Sequence, residues 1–214
     1  MDGSIVLARE GEVLAETRFR TVKGHASWLM PLVASTLEGI GIVPGDIGAV
    51  ASGIGPGTYT GVKVGVATAK ALALALGVEM VPLPTLDLLA AHAPDDAGPV
   101  LAVMGAHQGM VYLAGYAGTG ALPERVTDYE CMLPEGAGRL AELLGPGRLT
   151  VIGQAPDELM RSIADAGVEA LLADVPSPGF PTGPRIARMA TGMLLDGLGV
   201  DPVPVAPIYL KKPV

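Results

Sequence analysis

Cysteine, positive charge and uninterrupted hydrophobic length are all scarce in this sequence. The single cysteine, Cys131, excludes an internal disulfide and reads as a small buried apolar residue rather than a reactive thiol. Lys and Arg number 14 against 22 Asp and Glu, a formal charge of −8. That balance argues against independent binding of nucleic acid, because phosphate neutralisation supplies most of the affinity. No window of about 18 residues, the length a membrane span needs, lacks a charge or a helix breaker. The apolar stretch 64–78 contains Lys70 and lies between Lys63 and Glu79, so no membrane span is expected. The first four residues carry no basic start before an apolar core, so no signal peptide is expected and the chain reads as cytoplasmic. His25, His92 and His107 stand far apart, and no pair of them is spaced to share a helix face. A metal site is not expected. Ser35, Ser52 and Ser162 lie in no nucleophile elbow, which leaves no candidate catalytic residue.

What the chain does have is glycine, concentrated where it matters. In the run Ser52-Gly53-Ile54-Gly55-Pro56-Gly57-Thr58-Tyr59-Thr60-Gly61, four glycines and a proline separate an apolar strand-like segment from a long alanine-rich helical pattern. Such a loop can offer bare N–H groups to an anion at a helix N-terminus. Gly53, Gly55, Gly57, Thr58, Thr60 and Gly61 are therefore the candidate cofactor-binding residues. Neither familiar phosphate fingerprint fits: Thr60 stands where a dinucleotide loop needs its third glycine, and Val62 and Val64 flank Lys63 where a P-loop needs glycine and a hydroxyl. The alternative is structural, with the glycines serving a tight turn and close helix packing.

With 214 residues the chain can bury a substantial core as one domain or two small lobes. Periodicity predicts strands at residues 5–7, 13–19, 47–52 and 79–83, with helices over residues 29–40 and 60–76 and a short one from Thr85. Ser27 is the expected cap of the first helix. Strands, helix, strand, helix and strand in this order suggest a mixed sheet with helices on it. The polar turn 95–99 is the expected boundary. Beyond it, residues 100–104 and 110–116 form a predicted hairpin, followed by strands at 125–132, 149–153 and 169–173 and helices at 135–144, 156–166 and 184–195. The division is then an N-terminal α/β lobe 1–98, a smaller α/β lobe 99–182, and a terminal helix and tail, 183–214, packing between the lobes or back on them.

The stretch Gly55-Pro56-Gly57-Thr58-Tyr59-Thr60-Gly61-Val62-Lys63-Val64-Gly65-Val66-Ala67-Thr68-Ala69-Lys70-Ala71-Leu72-Ala73 resembles the signature G-P-G-S-F-T-G-L-R-I-G-x-A-x-A-K-G-L-A of the bacterial TsaB (YeaZ) family. His25-Ala26-Ser27-Trp28-Leu29-Met30-Pro31-Leu32 is similar to the family's H-S-x-x-L-L-P-L, and Pro207-Ile208-Tyr209-Leu210-Lys211 to its closing P-x-Y-L-R. The resemblance implies an α/β, two-lobed actin-like/Hsp70-like ATPase (ASKHA) fold. It also implies a scaffold subunit in the synthesis of threonylcarbamoyladenosine on tRNA. In that family the metal and the chemistry, transfer of threonylcarbamoyl to N6 of adenosine 37, belong to the paralogue TsaD. The P-loop ATPase TsaE joins the assembly, and tRNA is reached only through the complex. No intrinsic cofactor is implied, and any nucleotide would sit at a subunit interface. Pairing with TsaD, or with a second copy when the partner is absent, uses the first two long helices. His25, Leu29, Leu32, Val33, Thr36, Lys63, Val66 and Lys70 are the interface candidates.

Two departures stand against the pattern. Residues 4–13 resemble the family's second strand, so its internal first strand and Asp-Thr-Ser turn have no counterpart upstream. That leaves backbone groups at about 1 to 3 kcal/mol each to be satisfied in some other way. Gly105-Ala106-His107 stands where the family has Asp-Ala-Arg. Two rival readings remain at this level: an independent ATP-dependent kinase of the same fold, and a metallopeptidase.

Overall fold

The computed structural model describes residues 2–20, 28–94, 96–118, 120, 122–145, 147–174 and 181–210. The chain divides into two compact units, Met1–Pro84 with Gly183–Ile208, and Thr85–Thr182 with Tyr209–Val214. The first crossing falls at Pro84, not in the polar turn 95–99. Its cause is the short helix Thr85–Ala90, whose Leu86 and Leu89 are buried against Val100, Ala102, Tyr116 and Ile152 of the second unit.

In the first unit, strands β1 (Asp2–Arg9) and β2 (Glu12–Arg20) form an antiparallel pair. Strands β3 (Ala49–Gly55) and β4 (Glu79–Pro84) form a parallel pair. The sequence suggests one mixed sheet here; the structure has two two-stranded sheets, and among the described residues no strand joins them. Helix α1 (Leu29–Glu38) packs on β1 and β2, and α2 (Tyr59–Leu76) on β3 and β4. The core of the β3–β4 pair comprises Val50, Val66, Ala69, Ala73, Met80 and Val205. Gly77, at φ +68, ends α2 in the left-handed conformation that only glycine adopts without penalty.

After Thr85–Ala90 (α3), the second unit builds one six-stranded sheet from β5 (Val100–Gly105), β6 (Val111–Ala117), β7 (Glu124–Arg125), β8 (Glu130–Met132), β9 (Leu149–Gly153) and β10 (Ala170–Leu172). The order is β10-β9-β5-β6-β7, with β8 also on β6. The expected strand over 125–132 is thus two short pieces. Side chains alternate strictly: Leu101, Val103, Val111, Leu113, Leu149 and Val151 face α4 (Ala137–Leu143) and α5 (Asp157–Asp165), while Val100, Ala102, Ala114, Tyr116 and Ile152 face α3. Helices on both faces explain why these strands read as unbroken apolar runs.

The last helix, α6 (Gly183–Leu195), packs on β1, β2 and β4 and so belongs to the first unit. The tail then returns to β4 through an antiparallel bridge, Met80 to Val200, with both N–H···O distances 2.9 Å.

Candidate functional site

The glycine loop occupies the C-terminal end of β3 and the N-terminus of α2. Gly55 is buried at φ +99, and a Cβ there would lie 3.0 Å from the Ile208 carbonyl oxygen. Only glycine fits that position without strain. Gly57 does not use a positive φ; its constraint is steric, since a Cβ would stand 3.0 Å from Val62 Cγ2. The Ile54 carbonyl accepts a hydrogen bond from Ile208 N–H at 2.8 Å, which ties the closing segment to this loop. Thr58 precedes the helix in an extended conformation, with no side-chain capping bond, and the first turn of α2 holds no acid. Thr58, Tyr59 and Thr60 are exposed, and the Lys63 ammonium lies 5.6 Å from the Tyr59 ring centre. The loop geometry thus serves close helix–strand packing first, and leaves a short polar rim at the helix start.

The eight interface candidates separate. Leu29, Leu32 and Val33 are half-buried on α1, and Lys63 is exposed on α2. Val66 is only 3 % exposed and belongs to the core of the β3–β4 pair, so it cannot front a surface. Thr36 is also buried: its hydroxyl bonds Leu32 O at 2.7 Å and lies 3.0 Å from Thr17 Oγ1. Lys70 is half-buried and donates to the carbonyls of Val203 and Val205, each at 2.8 Å, so it anchors the tail. His25 and the expected cap Ser27 lie outside the described residues. Among the exposed residues of α2, Tyr59, Lys63, Ala67, Ala71 and Leu74 form a helically spaced stripe with one charge, with Thr60 and Ala75 also exposed. By length and composition α2 is the one helix, among the described residues, that could cross a membrane; here it lies on β3 through Val66, Ala69 and Ala73.

In the second unit, the turn between β5 and β6 places Gln108 at φ +60 and Gly109 at φ +73. With Gln154, Ala155 and Pro156 it borders an open cleft at the carboxyl ends of the parallel strands β5 and β9. Gly105 N–H reaches Gln154 Oε1 at 3.4 Å, and His107 is an exposed turn residue whose Nδ1 accepts from Gln108 N–H at 3.0 Å. Asp157 and Glu158 occupy the first turn of α5 beside this cleft, an arrangement that disfavours an anion there.

His92, just after α3, is half-buried. Its Nδ1 bonds Leu88 O at 2.7 Å and its Nε2 accepts Thr182 N–H at 3.2 Å, which fixes the neutral Nδ1–H tautomer. Sequence reading also missed a polar cluster. Asp87 Oδ1 accepts both the Tyr116 hydroxyl at 2.6 Å and the Tyr129 hydroxyl at 2.8 Å, and the Arg125 guanidinium stacks 4.2 Å over the Tyr129 ring. Burial raises the Asp87 carboxyl above its ordinary value against the opposing pull of both phenols and Arg125. Burial first, then the Asp87 charge, pushes both phenols well above the usual tyrosine range. The only available signal was a lone Asp on an otherwise apolar short helix. No group of three metal-ligating side chains forms among the described residues.

A family model described as TsaD, tRNA N6-adenosine threonylcarbamoyltransferase, matches residues 12–152, well over half of the chain. Proteins named tRNA threonylcarbamoyladenosine biosynthesis protein TsaB are similar to it. That of Bacillus subtilis is 34% identical over 132 residues, and that of Escherichia coli 36% over 115. The chain belongs to the TsaB (YeaZ) family. These alignments cover 61% and 53% of the chain and 58% and 49% of the relatives, so the chain spans about half the length of the curated TsaB proteins it matches. An uncharacterized protein of Mycobacterium tuberculosis is 28% identical over 210 residues, 98% of this chain and 85% of that one. A solved structure of a YeaZ-like protein from Pseudomonas aeruginosa superposes with a TM-score of 0.76 at 23% identity, covering 98% of this chain and 94% of the other. The fold is accordingly the actin-like, ASKHA type.

Proposed function

We propose that this TsaB-family chain takes part in threonylcarbamoyladenosine synthesis on tRNA as a non-catalytic scaffold that pairs with a TsaD-type subunit. The observation that carries the reading is the outward stripe of α2, Tyr59, Lys63, Ala67, Ala71 and Leu74, on a helix that follows the family's glycine loop. A face with one charge in five exposed positions is poorly matched to water and suits a helix-on-helix contact, where small residues permit close approach. On this reading the loop sets the angle of α2, Leu29, Leu32 and Val33 of α1 extend the surface, and Lys63 lies toward its rim. The transfer step, its metal and any nucleotide belong to TsaD and to the joint with it. TsaE and tRNA are met only in the complex, in the cytoplasm, and a homodimer forms on the same surface when TsaD is absent. Gly105 and His107, where the family has Asp and Arg, carry no chemistry in this account.

Depletion of the chain in its own cell should lower threonylcarbamoyladenosine in bulk tRNA, measured by mass spectrometry of nucleosides. An Ala71→Glu variant should fail to restore it although folded by circular dichroism. Full restoration by that variant would remove the α2 face from the reading.

A further inference from the structure

We infer that a second docking site, which meets the α2 outward stripe at Leu74, lies at the C-terminal end of α2 and receives a basic side chain from a partner protein. A cleft of about 230 Å³ opens there between the last turn of α2 and the tail, lined mainly by Ala73, Leu74, Val78, Val200 and Pro202. Two acids, Glu79 and Asp201, complete the lining, and no basic residue shares it. Both are exposed, and among the described residues neither forms an ion pair with a cation.

The wall opposite α2 is held in place from several directions. The Met80–Val200 bridge fixes its start, Asp201 Oδ1 accepts Val203 N–H at 2.8 Å within its turn, and the Lys70 ammonium clamps the carbonyls of Val203 and Val205. Lys70 is thereby spent on backbone oxygens and does not neutralise the two carboxylates. The result is a preformed cleft with apolar sides and two acids in its lining. A long side chain with a methylene stem and a cationic head matches that profile, the stem lying along Leu74 and Pro202 and the head between the acids. Arginine fits best, since its planar head can engage a carboxylate in bidentate fashion. The charge of −8 on the whole chain would steer a basic segment toward it.

The test uses the full chain, labelled with ¹⁵N, and the peptide acetyl-Gly-Leu-Arg-Leu-Gly-amide, with its norleucine analogue as control. The arginine peptide should shift the amides of Gly77, Val78, Val200 and Asp201 saturably. The norleucine peptide, or the shape-preserving double substitution E79Q and D201N, should weaken binding about fivefold, the size expected for a partly exposed ion pair. Equal binding of both peptides, shifts outside these residues, or no loss in the double variant would overturn the site. Because a homodimer on the α2 stripe would cover Leu74, the titration is repeated on the Ala71→Glu variant, outside the cleft and shown monomeric by light scattering; no saturable binding there would also overturn the site. E79Q and D201N keep side-chain size, so the charge comparison stands if Ala71→Glu fails to fold.

Discussion

In the unit Thr85–Thr182, β5 has a hydrogen-bonded strand on each side, whereas each of β1 to β4 in the other unit has one strand partner. The second unit can therefore stack apolar side chains on both faces of a continuous sheet, and Leu101, Val103, Leu113 and Ile152 are sealed completely. The first unit holds its strands in pairs, and outside β4, where Met80, Val81 and Leu83 are also sealed, its strand residues are mostly half-buried or exposed. Its order rests on other devices: the glycine turn at Gly55, the Met80–Val200 bridge, the Lys70 clamp and α6 across β1, β2 and β4. Stability and recognition are thus divided, with dense packing in one unit and exposed apolar helix faces in the other.

The comparison breaks most directly by emptying each core. Leu140→Ala, at a fully buried position of α4, should cost about 2 to 5 kcal/mol. Val50→Ala in β3, which deletes fewer buried atoms at a site 9 % exposed, should cost clearly less. Urea unfolding followed separately in each unit by hydrogen exchange measures both, and equal losses would undo the contrast.

Next in size are the glycines. Gly153→Ala places a Cβ on the Val103 carbonyl oxygen at φ +108, and should destabilise the second unit by about 1 to 3 kcal/mol. Gly55→Ala, with its nearest obstacle at 3.0 Å, should cost about 1 kcal/mol and loosen the closing segment at Ile208. Melting curves and amide exchange at Ile208 read these effects.

Lys70→Met removes the clamp and keeps the stem. A loss of about 1 kcal/mol is expected, with faster exchange confined to residues 200–205. Unchanged exchange there would show that the tail is held by the Val200 bridge alone.

The smallest effect is a slope. Because burial raises the Asp87 carboxyl in the folded state, this group's contribution is fully present below its ordinary value near 3.8 and is lost as pH climbs through the raised folded value. Asp87→Asn should flatten that part of the stability–pH curve for the second unit. An unchanged slope would assign it to other groups.

The second unit was largely legible in the sequence, since strands flanked by helices on both faces announce themselves as apolar runs at regular spacing. The Gly55 turn was legible too, because glycine between a strand and a helix has few other uses. What could not be read was direction. Val66 and Lys70 look like members of one helix face by spacing, yet Val66 turns to β3 and Lys70 to the tail, more than 100 residues away. The crossing at Pro84 depends on where Leu86 and Leu89 find partners, which composition does not encode. Asp87 drew no attention because its partners, Tyr116 and Tyr129, are brought to it only by the sheet.

The most direct test of the scaffold reading is reconstitution from purified components. The full chain, a TsaD-type subunit from the same cell, TsaE, threonylcarbamoyl-adenylate and unmodified tRNA are combined, with each protein omitted in turn. The account predicts no modified nucleoside from the chain alone, a complex of the chain with the TsaD-type subunit, and a rise in product when both are present. Product formed by the chain alone, or an equal yield when it is left out, would contradict it.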